Sequence, residues 1–520
     1  MRFPEGSRSD FVVELPGAAH LEYGGIRASG SARLLLATRL ESGGETESSP
    51  LESSANPGRL DLPGRGRRLV GLSLRAEGAG EVLLFAPRLV GEGSSGLAAP
   101  PAPQPAKAAA GRPNIVIFMV DTLRRDALGV YGHAAGLTSN IDGFAERATV
   151  FESAVAQSSW TRPSVATMFT GQVPTEHGVT GLDNALPREA NTLAERLRDA
   201  GYATAAISTN WHVSQQTGLR QGFREFFLRP LAPGAQVVSE SASWLDRRPP
   251  GVPFLLYLHI LDPHAPYAPP ADLRRRYAAD VRALAGTARD VSKVLASRGR
   301  RRAFHMEELR RLYEAEVAAT DRAFGELLDH LARRHLDADT MVVFIADHGE
   351  EFDEHGTLGH ANDLHAEVLN IPFILRLPGQ REGLRRTEIV QQIDLLPTLL
   401  TAAGLPVPPE MMGLALQAGP VTVERSAFSH LKYNGRECVS LRRGDFKLIV
   451  PRQPLGSPEL YDLSTDPAET VDIAARQPLR VAYMLGHLRL LEQSIQAPGS
   501  PARARLSDEA VRALHALGYL

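Results

Sequence analysis

Asn114-Ile115-Val116-Ile117-Phe118-Met119-Val120 is an unbroken apolar run that stops at a carboxylate, Asp121. Such a run is the signature of a strand buried on both faces, the kind found in parallel sheets covered by helices. The pattern returns at Tyr202–Ser208, at Phe254–His259 and at Met341–Ala346, the last again followed by an aspartate, Asp347. Helical periods lie between these runs, for example Thr192–Ala200 closed by Gly201. Strands alternating with helices imply an α/β fold with a central, mostly parallel sheet between helices. Ligands of such sheets bind at the carboxyl ends of the strands, where Asp121 and Asp347 fall.

Outward from this core the grammar changes. Phe11–Leu15, Arg33–Ala37, Leu69–Leu74 and Glu81–Phe85 read as short strands between glycine-rich turns, which predicts an N-terminal all-β module over residues 1–98. A Pro/Ala stretch from Ala99 to Pro105 lies within a linker expected over residues 99–113. The α/β domain is expected over 114–425. Residues 271–335 read as an Arg-rich helical stretch, with Arg298-Gly299-Arg300-Arg301-Arg302 taken as a solvated helix face. Over 426–520, Phe446–Val450 and Glu459–Leu463 predict a small C-terminal sheet, and Ser507 predicts the cap of a last amphipathic helix.

The 520 residues are 43% hydrophobic and 22% charged, an ordinary globular composition. Lysine and arginine number 57 against 60 acids, a formal net charge of −3, which gives no global attraction for nucleic acid. Only four of the 57 are lysines. The single cysteine, Cys438, excludes an intrachain disulfide or a thiolate zinc cluster. No apolar run approaches the roughly 20 residues of a membrane span, and the first residues, Met1 to Ser7, lack the apolar core of a secretory signal. The chain as read is expected in the cytoplasm, or in the periplasm or outside the cell if an export segment has been removed.

Three segments carry chemistry. In Ser158-Ser159-Trp160-Thr161-Arg162-Pro163-Ser164, a proline at a first helical position marks a helix start. Thr161 is then expected just outside the N-terminus, where unpaired N–H groups and the helix dipole favour an anion. Its hydroxyl could attack sulfur or phosphorus with the help of a metal. Second, Asp347-His348-Gly349-Glu350 follows a buried strand, and Asp347 and His348 could ligate a divalent ion together with Asp121. Third is histidine density, with 16 histidines in the chain. His212 follows Trp211 after a buried strand, His259 and His264 lie in Leu258–Tyr267, and His355, His360 and His365 follow the Asp347 segment. His264, between two prolines, is expected to act on an anion, whereas His355 and His365 are expected in solvated loops.

These residues resemble the sulfatase family of the alkaline phosphatase superfamily, over about Asn114 to Asp472. The resemblance is carried by Asp121–Gly132, by Pro163-Ser164 with Thr170-Gly171, by Asn210-Trp211-His212 and by Asp262–Pro266. It continues through Asp347–Glu350, Gly359-His360, Ile393–Leu400 and Glu459–Leu463. It implies an alkaline phosphatase-like mixed sheet between helices, a smaller C-terminal sheet, one divalent cation, and sulfate or phosphate transfer through a covalent intermediate. Position by position it implies Asp121, Asp347, His348 and Thr161 around the metal, with Thr161 as nucleophile. His212 and His264 would contact the nucleophile and the anion, His360 the leaving group, and Asn210 the substrate.

The departures from the family pattern are informative. Thr161 stands where the family has the Cys or Ser that becomes formylglycine, and a threonine cannot form that aldehyde hydrate. Thr122 replaces a second aspartate, Val165 an arginine, Asn210 and His360 lysines, and His348 an asparagine. At an effective dielectric of about 20, each cation lost from within about 4 Å of the anion withdraws on the order of 4 kcal/mol of gross attraction. A threonine with a histidine ligand resembles the related phosphoethanolamine and phosphoglycerol transferases. Three functions therefore stand: a hydrolase of sulfate esters working through Thr161, a phosphoesterase or phosphotransferase, and an anion-binding homologue without turnover. Calcium is the family's usual ion, and His348 opens manganese or zinc. The expected partner is a small-molecule or glycan ester, with no nucleic acid and no integral membrane segment.

Overall fold

The computed structural model describes residues 1–15, 18–41, 45–51, 54, 56–62, 68–85, 87–91, 111–421, 424–495 and 502–517. The Pro/Ala stretch of 99–105 lies outside the described residues, as does the linker up to residue 110. The chain divides into two compact units. The first comprises Met1–Pro103 with Pro458–Tyr461 and Val471–Ser494, and the second comprises Gln104–Ser457, Asp462–Thr470 and Ile495–Leu520.

The first unit is built from antiparallel strands. Arg8–Leu15, Arg68–Glu77, Arg33–Leu40 and Glu45–Leu51 form a four-stranded sheet in that order. Two three-stranded sheets accompany it. Alternate residues of Arg33–Leu40 are buried, Leu34 and Leu36 among them, because strand side chains point to opposite faces with a period of two. They join Phe3, Val70, Leu72, Val82 and Leu84 in one apolar core. The helix Pro478–Ser494 belongs to this unit, anchored by the Tyr483 hydroxyl donating to Glu14 (3.0 Å) and by Arg480 forked onto Glu41.

The second unit holds an eight-stranded mixed sheet. Its order is Glu225–Leu228, Ala203–Ser208, Phe254–Ile260, Asn114–Val120, Thr340–Ala346, Phe373–Arg376, Thr149–Val155 and Leu384–Gln391. All neighbours are parallel except Phe373–Arg376, which runs antiparallel to both of its partners. The four apolar runs read from the sequence are adjacent central strands, and Phe254–Ile260 and Thr340–Ala346 are buried at every position. Helices supply the cover. Leu193–Asp199 begins at a capping box in which Thr192 accepts from the Glu195 amide and Glu195 accepts from the Thr192 amide. The Arg-rich stretch resolves into Ala271–Tyr277, Ala288–Ala296 and the 35-residue helix Gly299–Arg333, whose Phe324 packs edge-on against Phe118 and Phe344. Arg298, Arg300 and Arg301 are exposed as expected, but Arg302 is forked onto Asp353.

Ser426–Tyr433, Arg436–Arg443 and Phe446–Gln453 form an antiparallel meander, and Ser507 caps Asp508–Ala516 by accepting from the Ala510 amide. Among the described residues no helix is long and apolar enough to cross a membrane.

Candidate functional site

The parallel register pairs Val120 with Ala346, so Asp121 and Asp347 leave neighbouring strands side by side. Thr122 then adopts a left-handed backbone (φ 54°), unusual for a β-branched residue. That turn aims its amide at Asp347 Oδ1 (3.2 Å), which also accepts from the His348 amide (2.8 Å). Asp121 Oδ2 is held by Asn210 Nδ2 (2.9 Å) and His259 Nε2 (3.0 Å). Gly349 is required by a close approach: a Cβ there would lie 1.9 Å from the Glu367 carbonyl oxygen.

Each carboxylate therefore spends one oxygen on protein donors. The other two, Asp121 Oδ1 and Asp347 Oδ2, are buried and accept no hydrogen bond among the described residues. They lie 3.7 and 3.5 Å from His348 Nε2. His348 Nδ1 donates to the Gly349 carbonyl (2.9 Å), which fixes the proton there and turns the Nε2 lone pair toward the two oxygens. Two orphaned carboxylate oxygens and an imidazole lone pair, all within 4.8 Å of one another, fit a divalent cation. The electrostatics agree. Burial, and then the charge of Asp121, pushes the Asp347 carboxyl far up, while His348 is pushed well down by burial and by His360. Burial alone would raise Asp121, but His264, His259 and His348 together outweigh it and hold this carboxyl down. Two adjacent buried carboxylates repel one another in water's absence, and a bound cation would offset that repulsion.

Thr161 Oγ1 lies 3.4 Å from the same His348 Nε2. Its helix spans Thr161–Thr170, so Thr161 is the first helical residue rather than the residue outside it. Pro163 sits two positions further in, still within the first turn, where its missing N–H is no loss. Arg162, fully buried, donates through Nη2 to His212 Nδ1 (3.0 Å) and through Nη1 to the Asn184 (3.0 Å) and Leu182 carbonyls. A guanidinium always donates, so His212 Nδ1 accepts and the ring proton sits on Nε2. Burial, reinforced by Arg162, holds His212 neutral.

Across the site, His264 Nδ1 donates to the Ala265 carbonyl (2.5 Å), and burial lowers its basicity while Asp121 partly restores it. His360 Nδ1 is bonded to Glu350 Oε1 (2.9 Å), and Glu350 Oε2 accepts from the Tyr267 hydroxyl (3.2 Å). The His360 ring lies 4.5 Å from that of His348 and 5.0 Å from that of His264. His264, Tyr267, Glu350 and His360 line a cleft of about 440 Å³ whose walls include Leu295, Tyr433, Asn434, Arg436 and His515.

The structure thus brings together Asp121, Asp347, His348, Thr161, His212, His264 and His360. Asn210, expected at the substrate, is instead occupied inside the protein: its amide nitrogen holds Asp121, and its oxygen accepts from the His212 amide (2.9 Å). Val165, at the family's arginine position, is buried in the apolar core. His355 and His365 do not stand in solvated loops: His365 is buried, His355 is half-buried, and their rings stack at 3.7 Å. Sequence reasoning missed His259, Glu350 and Arg162. The available signal for Arg162 was its place at a helix N-terminus, where the dipole opposes a cation unless specific acceptors hold it.

A family model described as sulfatase matches residues 113–405, and one described as N-sulphoglucosamine sulphohydrolase, C-terminal, matches residues 354–493. The ulvan-active sulfatase of Formosa agariphila is 28% identical over 344 residues, 58% of this chain and 64% of that protein. Among solved structures, a protein in complex with its substrate D-glucosamine-2-N,6-O-disulfate aligns with a TM-score of 0.62 at 22% identity, over 74% of this chain and 98% of its own. The phosphonate monoester hydrolase of Agrobacterium radiobacter aligns with a TM-score of 0.61 at 20% identity, over 73% of this chain and 95% of its own. At these identities the two structural likenesses establish the fold.

Proposed function

The chain belongs to the sulfatase family, hydrolases of sulfate or phosphate esters, and on that premise we propose that it is a cation-dependent sulfate ester hydrolase in which Thr161 forms the covalent intermediate. One observation carries this reading: Thr161 Oγ1, two orphaned carboxylate oxygens and the lone pair of His348 converge on one buried point. Asp121, Asp347, His348 and Thr161 would hold the cation. Calcium is the family default, but an imidazole among hard oxygens favours manganese or zinc. When bound, such an ion acidifies the Thr161 hydroxyl and offsets charge on the ester's nonbridging oxygens.

The chain's own groups do the rest. Thr161 Oγ, its proton already released to solvent, bonds as an alkoxide to sulfur while the ester S–O bond breaks, and it leaves again as the alkoxide in the second step. His360, braced through Nδ1 by Glu350, delivers a proton from Nε2 to the leaving oxygen. His264 has its Nδ1 proton committed to Ala265, so it donates to the anion only when Nε2 is protonated as well. The anion's charge favours that form. Water then cleaves the Thr161 ester, with His360 now accepting the proton. The cleft, and the sulfated sugar that is the substrate of one structural neighbour, support a sulfated sugar or comparably small ester as substrate.

One feature favours a second reading. Thr161 cannot release its group by collapsing to an aldehyde, so water must attack the intermediate directly, a step more familiar for phosphate. A phosphate or phosphonate ester is then the substrate, in keeping with the phosphonate monoester hydrolase neighbour. The test is a panel of aryl sulfates, phosphates and phosphonates assayed with wild type and Thr161→Ala, the metal varied. Thr161-dependent turnover is expected, and mass spectrometry of a trapped Thr161 adduct distinguishes sulfuryl from phosphoryl. Identical behaviour of wild type and Thr161→Ala across the panel sinks the proposal.

A further inference from the structure

A second group of ligand-type side chains lies beyond the site just described. Glu351 stands in the short strand Glu351–Phe352, His355 in the turn that follows, and Glu367 in the helical turn Ala366–Leu369. One ligand atom from each lies within 4.8 Å of the others. Glu351 and Glu367 are buried and His355 is half-buried. His355 Nε2 donates to the Glu469 carbonyl (2.9 Å), which fixes the proton on Nε2 whenever the ring is neutral. Nδ1 then faces Glu367 Oε1 only 2.6 Å away, a contact bridged by a second ring proton that a bound cation would displace. An imidazole oriented by a carbonyl on its far nitrogen is the usual arrangement around a bound metal.

The charge balance points the same way. Glu351, Glu367 and Asp363 are neighbours; among the described residues no lysine or arginine lies within 4 Å of their carboxylates, His355 pairs with Glu367 and His365 with Asp363, and Arg302 acts on Glu351 only at longer range. His365 stacks on His355 with ring planes 7° apart and lies 3.3 Å from Asp363, which walls the group from solvent.

We propose that Glu351, His355 and Glu367 form a second divalent-cation site, separate from the one at Asp121. Two carboxylates and one imidazole suit zinc or manganese. Its role is structural. Glu351–Phe352 pairs with Leu358–Gly359, the strand that delivers His360, so a cation here ties the His360 hairpin to the turn carrying Glu367. The full-length protein is loaded with zinc or manganese, desalted and analysed for bound metal. The variant Asp121→Asn/Asp347→Asn is expected to retain one equivalent and to melt higher with the ion than without it. Adding Glu367→Gln, or separately His355→Gln, should remove both effects, with circular dichroism confirming that each variant is folded. The proposal is overturned if Asp121→Asn/Asp347→Asn binds neither ion, a result that needs no substitution in the cluster. It is equally overturned if folded Glu367→Gln and His355→Gln versions still hold the equivalent.

Discussion

Arg162 Nη2 donates to His212 Nδ1 across 3.0 Å, from the residue that follows Thr161. The pair places a permanent positive charge beside the threonine and dictates which nitrogen of His212 can donate. The cation positions of the family pattern at Val165 and Asn210 hold no charge here.

Arg162→Met is therefore expected to lower kcat/KM by roughly 10²-fold, the equivalent of losing a charge-assisted hydrogen bond worth about 1.5–3 kcal/mol. It should also destabilise the fold, because the Leu182 and Asn184 carbonyls lose their donor. Steady-state kinetics alongside thermal melts check both effects. Unchanged kinetics in a folded Arg162→Met protein would remove Arg162 from the site.

His259 and Asn210 grip the same oxygen of Asp121. Either His259→Ala or Asn210→Ala should weaken divalent-cation affinity at this site by about 10–100-fold, as loss of an outer hydrogen bond to a ligand typically does. Competition against a chromophoric chelator measures it, and an unaltered affinity would show that Asp121 needs neither partner.

Protonation of the leaving oxygen by His360 predicts a dependence on the leaving group. His360→Ala and Glu350→Gln should slow alkyl esters by about 10²–10⁴-fold, yet barely affect nitrophenyl esters, whose anion departs unaided. An equal loss on both classes would make His360 a binding residue only.

A pH effect on stability is expected from Glu316. Burial, together with the neighbouring Asp262, pushes its carboxyl up to about 9, against 4.5 for the ordinary group. Between those values the folded protein keeps a proton that the unfolded chain releases, so stability falls as pH rises through the window. Glu316→Gln should flatten that slope and melt higher than wild type near pH 8. Melts from pH 5 to 9 that run parallel for the two proteins would contradict this.

The central sheet was legible because its inner strands are covered on both faces and so are written in unbroken apolar residues. Thr149–Val155 was not, since Glu152 and Ser153, only partly buried, interrupt it, and Leu384–Gln391 begins as an exposed edge. Asp121, Asp347 and His348 could be read because they interrupt or follow apolar runs at the ends where ligands gather. His259 could not, since a histidine inside a buried strand looks like any core residue until the neighbouring strand brings Asp121 beside it. The pattern around His355 and His365 misleads for a related reason: their exposure is decided by the return of the Ala366–Leu369 turn, a contact distant from the glycine-rich hairpin that suggests a loop.

The committed oxygens of Asp121 and Asp347 have one more consequence. Thr122, His348, Asn210 and His259 immobilise the carboxylates before any ion arrives, so loading has almost no reorganisation left to perform. Crystals grown in chelator and crystals grown in metal should superimpose at this site, with selectivity set by the fixed gap rather than by a closing motion.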